Sequence, residues 1–172
     1  MTKAMITIDQ ETLRRPVQLV SFGALTIPYP AGSALSVVVH DGHADTIAIR
    51  TSTGQIALNL YAATSSGHVP GYLGSCLRYL SSENIDTSAL ESFAGDELGG
   101  TAADGMHYRF LSTSGEGWLL RGSVRSPRAC APADIALTRS VLHGAIVVAP
   151  RHHMAGTTLE LDTEPRWISR SE

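Results

Sequence analysis

The sequence predicts a single α+β domain, a mostly antiparallel sheet of about six to eight strands with two packed helices. Three observations support this class: apolar and polar residues alternate along residues 35–62, helical spacing follows from about residue 68, and a second alternating pair of segments precedes another helical segment. At 172 residues the chain is long enough to bury roughly 70% of its unfolded surface. We expect an N-terminal arm (1–16), the α+β domain (17–150) and a C-terminal tail (151–172) that is partly packed on the domain.

The first half of the domain is predicted to be strands. Residues 17–27 form one strand, and residues 35–40, 44–50 and 55–63 form a three-stranded meander. Asp41-Gly42 is a strong hairpin signal between the first two strands of the meander. An odd-numbered loop, residues 41–43, separates apolar from polar residues best. This register puts Leu35, Val37, Val39, Ile47 and Ile49 on one face and Ser36, His40, Thr46 and Arg50 on the other.

The second half is predicted to combine two helices with a second hairpin. Val69, Leu73, Cys76, Leu77 and Leu80 recur at helical spacing within residues 68–82. Strands at 106–112 and 117–125, joined by residues 113–116, form the hairpin, and Trp118 lies on its buried face as a core anchor. Residues 133–143 form the second helix, with Pro132 at its start and Gly144 at its end. Residues 145–149 form a short last strand.

Composition excludes several function classes. The net charge of −3 provides no general attraction to nucleic acid or to an anionic membrane, and no apolar run approaches the roughly 20 residues of a membrane span. The start of the chain lacks the features of a signal peptide, and the two cysteines do not form a disulfide framework. The glycines include neither dinucleotide nor P-loop spacing, so no cofactor is implied. We expect a soluble, cytoplasmic protein.

Three phrases carry a resemblance to a known family. They are residues 21–28 (SFGALTIP), residues 117–122 (GWLLRG) ahead of a helix, and residues 145–149 (AIVVA) ahead of a Leu-containing tail. The chain resembles the actinobacterial proteins grouped as domain-of-unknown-function family 3710, over about residues 17–167. The resemblance implies an architecture and a bacterial cytosolic setting, and it assigns no catalytic residue. The chain departs from the family in its short start and in Glu116-Gly117 before the tryptophan.

Histidine-containing clusters raise the question of a metal site. His40, Asp41, His43 and Asp45 have the residue types that bind transition metals. In the odd-loop register, however, His40 and Asp45 project to opposite faces, and Asp41-Gly42 is explained as turn chemistry. We therefore expect a structural hairpin without a metal, although a metal site is the open alternative. His152-His153 is interpreted as part of a solvated tail.

The remaining candidate site is the polar face of the second hairpin. It carries His107, Arg109, Arg121 and Arg125, which the predicted register puts together. A guanidinium is suited to bidentate recognition of carboxylate or phosphate, so this face is a candidate surface for an anionic ligand or a partner. The alternative is that the arginines pair with Glu91, Asp96 or Glu97.

Two function hypotheses follow. The first is a non-enzymatic binding or protein-interaction module, since no catalytic motif is recognisable: there is no Gly-x-Ser-x-Gly elbow, and neither cysteine has a histidine or basic residue placed by sequence to lower its pKa. The second is a small hydrolase or ligand-dependent enzyme with a site assembled around the arginine-rich hairpin face. A pocket with convergent polar groups is the observation that would favour the enzyme.

Overall fold

The computed structural model describes residues 3–8, 19–73, 75–76, 91–92, 97–148 and 151–168. Within them the strands are β1 (Lys3–Ile8), β2 (Leu19–Ser21), β3 (Leu25–Pro28), β4 (Ala34–His40), β5 (His43–Arg50), β6 (Gln55–Ala62), β7 (Glu91–Ser92), β8 (Leu98–Thr101), β9 (His107–Gly115), β10 (Trp118–Ser126), β11 (Ile146–Val147) and β12 (Arg166–Ile168). One complete helix, α1 (Pro132–Gly144), follows β10.

The strands form two antiparallel sheets. In the described residues the large sheet has eight strands in the order β1-β4-β5-β6-β10-β9-β8-β7, and the small sheet has four in the order β11-β3-β2-β12. The meander β4-β5-β6 is adjacent to the hairpin β9-β10 because β6 pairs with β10 over eight residue pairs, from Trp118↔Ala62 to Arg125↔Gln55. The central strands of the large sheet therefore come from the two segments whose alternation predicts strands.

One face of the large sheet packs on the small sheet and on α1 to form the main core. Phe22, Leu25 and Ile27 come from the small sheet segment, and Val141 and Leu142 come from the helix. The five residues predicted to share one face of the first hairpin are all buried, which confirms that prediction: Leu35, Val37, Val39, Ile47 and Ile49. Ile56, Leu58 and Leu60 of β6 are buried in the same core. Apolar alternation with a period of two is sufficient to define this face.

The first hairpin reaches the predicted register by a different route. Its loop has two residues, Asp41 and Gly42, and both have positive φ (50° and 85°), as a tight primed turn requires. Asp45 is a β-bulge residue, since Val38 pairs with Thr46 while the next pair is Val39 with Ala44. The predicted odd loop is wrong. The bulge adds the one residue that the shorter turn lacks, so the same apolar residues still face the core.

The predicted α+β class with two packed helices is wrong, because the domain is mostly β. Pro132–Gly144 confirms the second predicted helix and its two ends. Of the first predicted helix, 68–82, the backbone at 72–73 and 75–76 is helical, whereas 74 and 77–82 lie outside the described residues. Leu73, on the predicted buried stripe, is exposed. The termini add strands instead, since Lys3–Ile8 pairs with β4 and Arg166–Ile168 with β2.

The register of the second hairpin corrects the predicted faces. Its loop is Glu116-Gly117, and Arg121 lies opposite Ser112 while Val124 lies opposite Arg109. An even-numbered loop, whether the observed 116–117 or the predicted 113–116, pairs odd positions of one strand with even positions of the other, whereas the predicted faces put even positions together. Phe110 consequently lies on the face of Arg121, away from the main core.

Two further predictions are corrected in part. The strand predicted at 17–27 is two strands, because the chain turns at Gly23 (φ 78°) and the Phe22 amide donates to the Leu25 carbonyl (2.7 Å). Trp118 packs against the main core as predicted, but it is only partly buried. The tail also supplies core residues, Leu159 and Leu161, which its lack of periodicity did not predict.

Candidate functional site

The candidate site begins where β5 and β6 separate. These strands pair only from Ile47↔Leu58 to Arg50↔Gln55. Beyond Ile47 the bulge at Asp45 turns β5 away, because a bulge bends its strand and interrupts the ladder. The two strands therefore form a fork in the large sheet.

The tail fills one side of this fork. The Leu159 amide donates to the Leu60 carbonyl (2.8 Å), and the Leu161 amide donates to the Ala44 carbonyl (2.7 Å). Thr158 forms an isolated bridge with Tyr61. The tail thus donates hydrogen bonds to backbone carbonyls of β5 and β6 that the two separated strands cannot pair with each other.

A cleft of about 450 Å³ lies at the fork, on the sheet face opposite the main core. This volume is within the usual range for small-molecule sites, about 300–1,000 Å³. Its lining comes from the strands, the segment after β6, and the tail: His40, Asp45, Thr46, Asn59, Tyr61, Val69, Pro70, Gly71, Tyr72, Ser75, Arg121, Gly156 and Thr158.

Arg121 forms the inner end of the cleft and is 1% exposed. Its Nη1 donates to Ser75 Oγ (2.9 Å) and its Nη2 to Asn59 Oδ1 (3.3 Å). The guanidinium also lies 5.2 Å from the centroid of the Tyr61 ring, within the range of a cation–π contact. Neutral hydrogen-bonding and aromatic groups thus help to hold a buried cation beneath the cleft.

A series of hydrogen bonds joins Arg121 to the outer rim. Asn59 Nδ2 donates to Thr46 Oγ1 (2.8 Å) and to the Asp45 carbonyl (3.1 Å). Thr46 Oγ1 donates in turn to Asp45 Oδ1 (2.8 Å). His40 Nδ1 lies 3.5 Å from the same carboxylate oxygen. Asn59 therefore ties the two arms of the fork together and links both to Arg121.

Burial is the main cause of the raised pKa values of the thiol and the phenol beside Arg121. It raises the pKa of the Cys76 thiol, although the positive charge of Arg121 acts in the opposite direction. It raises the pKa of the Tyr72 phenol well above the ordinary value of a tyrosine, and the nearby Cys76 adds to the effect. Both groups are therefore protonated and neutral at physiological pH.

The structure separates the four residues of the predicted surface. Arg121 lines the cleft, and Arg125 lies on the same face, 3.6 Å from Asp104. Arg109 lies on the other face, where its Nη2 donates to Glu97 Oε2 (2.9 Å), as the pairing alternative anticipated. His107 shares that face, with Nδ1 3.2 Å from Thr101 Oγ1. The predicted common face is wrong, because both the observed loop 116–117 and the predicted loop 113–116 are even and put odd positions of one strand with even positions of the other.

The first histidine-containing cluster has a different geometry from the one expected from the sequence. His40 and Asp45 were expected on opposite faces, and they are in contact because the bulge rotates Asp45 toward the face of His40. His43 points elsewhere, with Nδ1 2.9 Å from Glu160 Oε1. In the described residues no group of three or more His, Cys, Asp or Glu side chains is arranged to hold a metal. His152 and His153 are exposed, as expected.

Most cleft residues were missed by sequence reasoning. Asn59 and Tyr61 lie in the predicted strand 55–63, and neither was a candidate site residue. The pairing of β6 with β10 would have indicated Asn59, because it is the register partner of Arg121. A buried cation needs hydrogen-bond acceptors, and a polar residue directly opposite can supply one. Ser75 and Tyr72 carry no comparable signal, since helical spacing placed neither of them near the sheet.

Comparison with known proteins identifies the family. The family model described as "Protein of unknown function (DUF3710)" matches residues 7–166. The chain belongs to this family, which confirms the resemblance seen in the sequence. No curated protein and no solved structure matches it. Among the described residues, no helix has both the length and the apolar character needed to cross a membrane.

Proposed function

We propose that this chain is a non-enzymatic binding module and that the cleft over Arg121 receives an anionic group. The observation that carries the proposal is the 2.9 Å hydrogen bond from Arg121 Nη1 to Ser75 Oγ. Because Ser75 accepts from a cation, its own proton is polarised and can be donated to a ligand in the cleft. An anionic oxygen accepts such a proton more strongly than a neutral one.

The position of Arg121 supports the same class of ligand. A cation in a site of low dielectric interacts more strongly with a nearby charge than a solvated cation does. Arg109 and Arg125 do not line the cleft, so the proposal keeps Arg121 alone from the predicted surface. The ligand is a small carboxylate or phosphate rather than a nucleic acid, because the cleft is small and the chain has a net charge of −3.

The thiols favour binding over nucleophilic catalysis. Burial raises the pKa of Cys76 and of Cys130, which lowers the fraction of reactive thiolate at neutral pH. Both thiols are free, a state that suits the reducing cytoplasm in which we place the module.

Titration with sodium acetate and with inorganic phosphate, followed by NMR, tests the proposal. We expect saturable shifts of the Asn59 side-chain amide and the Ser75 backbone amide, with Kd on the order of 1 mM. Ser75→Ala should weaken binding, because it removes the polarised donor. Ser52→Ala is the matched control, since Ser52 is exposed in the turn at the opposite end of the same strands. Shifts that do not saturate, or that persist in Ser75→Ala, would contradict the proposal.

One observation favours the hydrolase as a second candidate. A carboxylate beside an imidazole nitrogen, as in Asp45 and His40, orients the ring for proton transfer. This candidate predicts turnover of small p-nitrophenyl esters that is lost in His40→Ala and retained in His68→Ala, whose histidine is exposed outside the cleft. Equal rates in the two variants would reject it.

A further inference from the structure

The cleft has two ends of opposite charge. Arg121 lies at the inner end, and Asp45 lies at the rim with its side chain 41% exposed. Thr46 and His40 both contact Asp45 Oδ1. A ligand in the cleft therefore meets a carboxylate as well as the polarised Ser75 hydroxyl.

The hydrogen bonds between these two ends run in one direction. Arg121 donates to the side-chain oxygen of Asn59, and the side-chain NH₂ group of Asn59 donates to the Thr46 hydroxyl. The Thr46 hydroxyl donates in turn to the Asp45 carboxylate. The orientation of the Asn59 amide is fixed, because the reverse orientation would place its NH₂ group against the guanidinium. The wall of the cleft is thus a dipole, with its positive end inside and its negative end at the rim.

A purely anionic ligand complements only half of this wall, since a negative charge near Asp45 would be repelled. The complementary ligand has an anion at its inner end and a cation at its outer end. The two ends are separated by the side chains of Asn59 and Thr46, so the two charges of the ligand must be several bonds apart. Tyr61, Tyr72 and Pro70 offer apolar surface to the connecting atoms.

We propose that the ligand is a short linear zwitterion, such as a small peptide with free termini. Its carboxylate binds at Ser75 and Arg121, and its ammonium binds at Asp45. This inference rests on the proposed anion-binding function. It adds that binding requires a second, cationic group.

Three probes separate the two claims when they are titrated into the full chain by NMR or calorimetry. Triglycine carries both charges, N-acetyltriglycine carries only the anion, and triglycine amide carries only the cation. We expect triglycine to bind at least about tenfold more tightly than either blocked probe. Asp45→Asn should reduce the affinity for triglycine to that for N-acetyltriglycine and leave the affinity for N-acetyltriglycine undiminished.

Asp41→Asn is the matched control. Asp41 is exposed in the turn, four residues before Asp45, and asparagine tolerates its positive φ. This variant should bind triglycine like the wild type. Equal affinity for triglycine and N-acetyltriglycine would overturn the zwitterion and leave the anion-binding function standing. Binding of triglycine amide as tight as that of triglycine, or no binding of either carboxylate probe, would overturn both.

Discussion

Arg121 and Asn59 lie directly opposite each other on neighbouring strands, and the arginine Nη2 donates to the asparagine Oδ1 at 3.3 Å. Arg125, four residues along on the same face, is 45% exposed and lies 3.6 Å from Asp104. The two arginines therefore have different roles, although the sequence presents them alike: one is part of a buried network and the other is a surface residue.

Arg121→Ala is expected to lower the free energy of unfolding by about 3 kcal/mol, because it removes charge-assisted hydrogen bonds and leaves buried acceptors and a cavity. Arg125→Ala should cost less than about 1 kcal/mol, as is usual for an exposed ion pair. Urea denaturation monitored by circular dichroism measures both. Equal losses in the two variants would contradict the assigned roles.

Deletion of Asp45 should remove the cleft and keep the fold. Without the bulge residue, Ala44 and Thr46 would pair with Val39 and Val38 in an uninterrupted ladder, so the core residues keep their faces. We expect a melting temperature within about 4 °C of the wild type and no saturable response to acetate. Deletion of Ala48 is the contrasting variant, because it would turn Ile47 and the residues before it away from the core. Similar melts for the two deletions would show that the bulge is structurally essential.

Gly122→Ala should destabilise the contact between the large sheet and α1. A Cβ at this position would lie 2.5 Å from Thr138 Cγ2, and Thr138 is fully buried. Overpacking of this kind costs about 1–3 kcal/mol. Thr138→Ser removes the clashing methyl and keeps the hydroxyl that donates to the Asp134 carbonyl (2.7 Å). The double variant should therefore be more stable than Gly122→Ala alone, and a double-mutant cycle with no coupling would disprove the contact.

Glu97 should make the stability of the domain dependent on acid pH. Hydrogen bonds from Arg139, and then from Arg109, hold the pKa of its carboxyl below the ordinary value. A lowered pKa in the folded state stabilises the fold above the ordinary carboxyl pKa of about 4.3, and this contribution is lost as the pH falls through the folded-state value.

Urea midpoints from pH 7 to pH 3 test this linkage. We expect Glu97→Gln to be less stable than the wild type at pH 7 and the difference to shrink toward pH 3. Glu116→Gln, in the exposed turn of the second hairpin, should follow the wild-type profile. A difference that is constant across the range would mean that Glu97 acts through packing rather than through its charge.

The two hairpins show what the sequence could predict of this fold. In the first, alternation identified the buried face correctly even though the loop length was wrong, because Asp45 compensates for the shorter turn. In the second, the apolar pattern does not identify the core face, since Phe110 and Leu111 are both buried on opposite faces. The predicted faces put even positions of both strands together, which neither the predicted loop 113–116 nor the observed loop 116–117 allows.

The site was less predictable than the fold for a physical reason. The cleft exists because a bulge separates β5 from β6 and the tail occupies the gap, and neither event has a strong local signal. Arg121 was recognised as a candidate from its residue type. Its partners Asn59 and Ser75 come from separate segments, so only the tertiary structure brings them together.

The position of the tail after α1 has a consequence for biosynthesis. Strands β4, β5 and β6 leave the ribosome early, but Leu159 and Leu161, which close the fork, follow only after α1. Contacts between such distant positions form slowly, because a long loop must close before they stabilise the chain. A nascent chain that has completed the meander therefore exposes unpaired backbone at Ala44 and Leu60, and it acquires a finished cleft only after residues 158–161 have emerged.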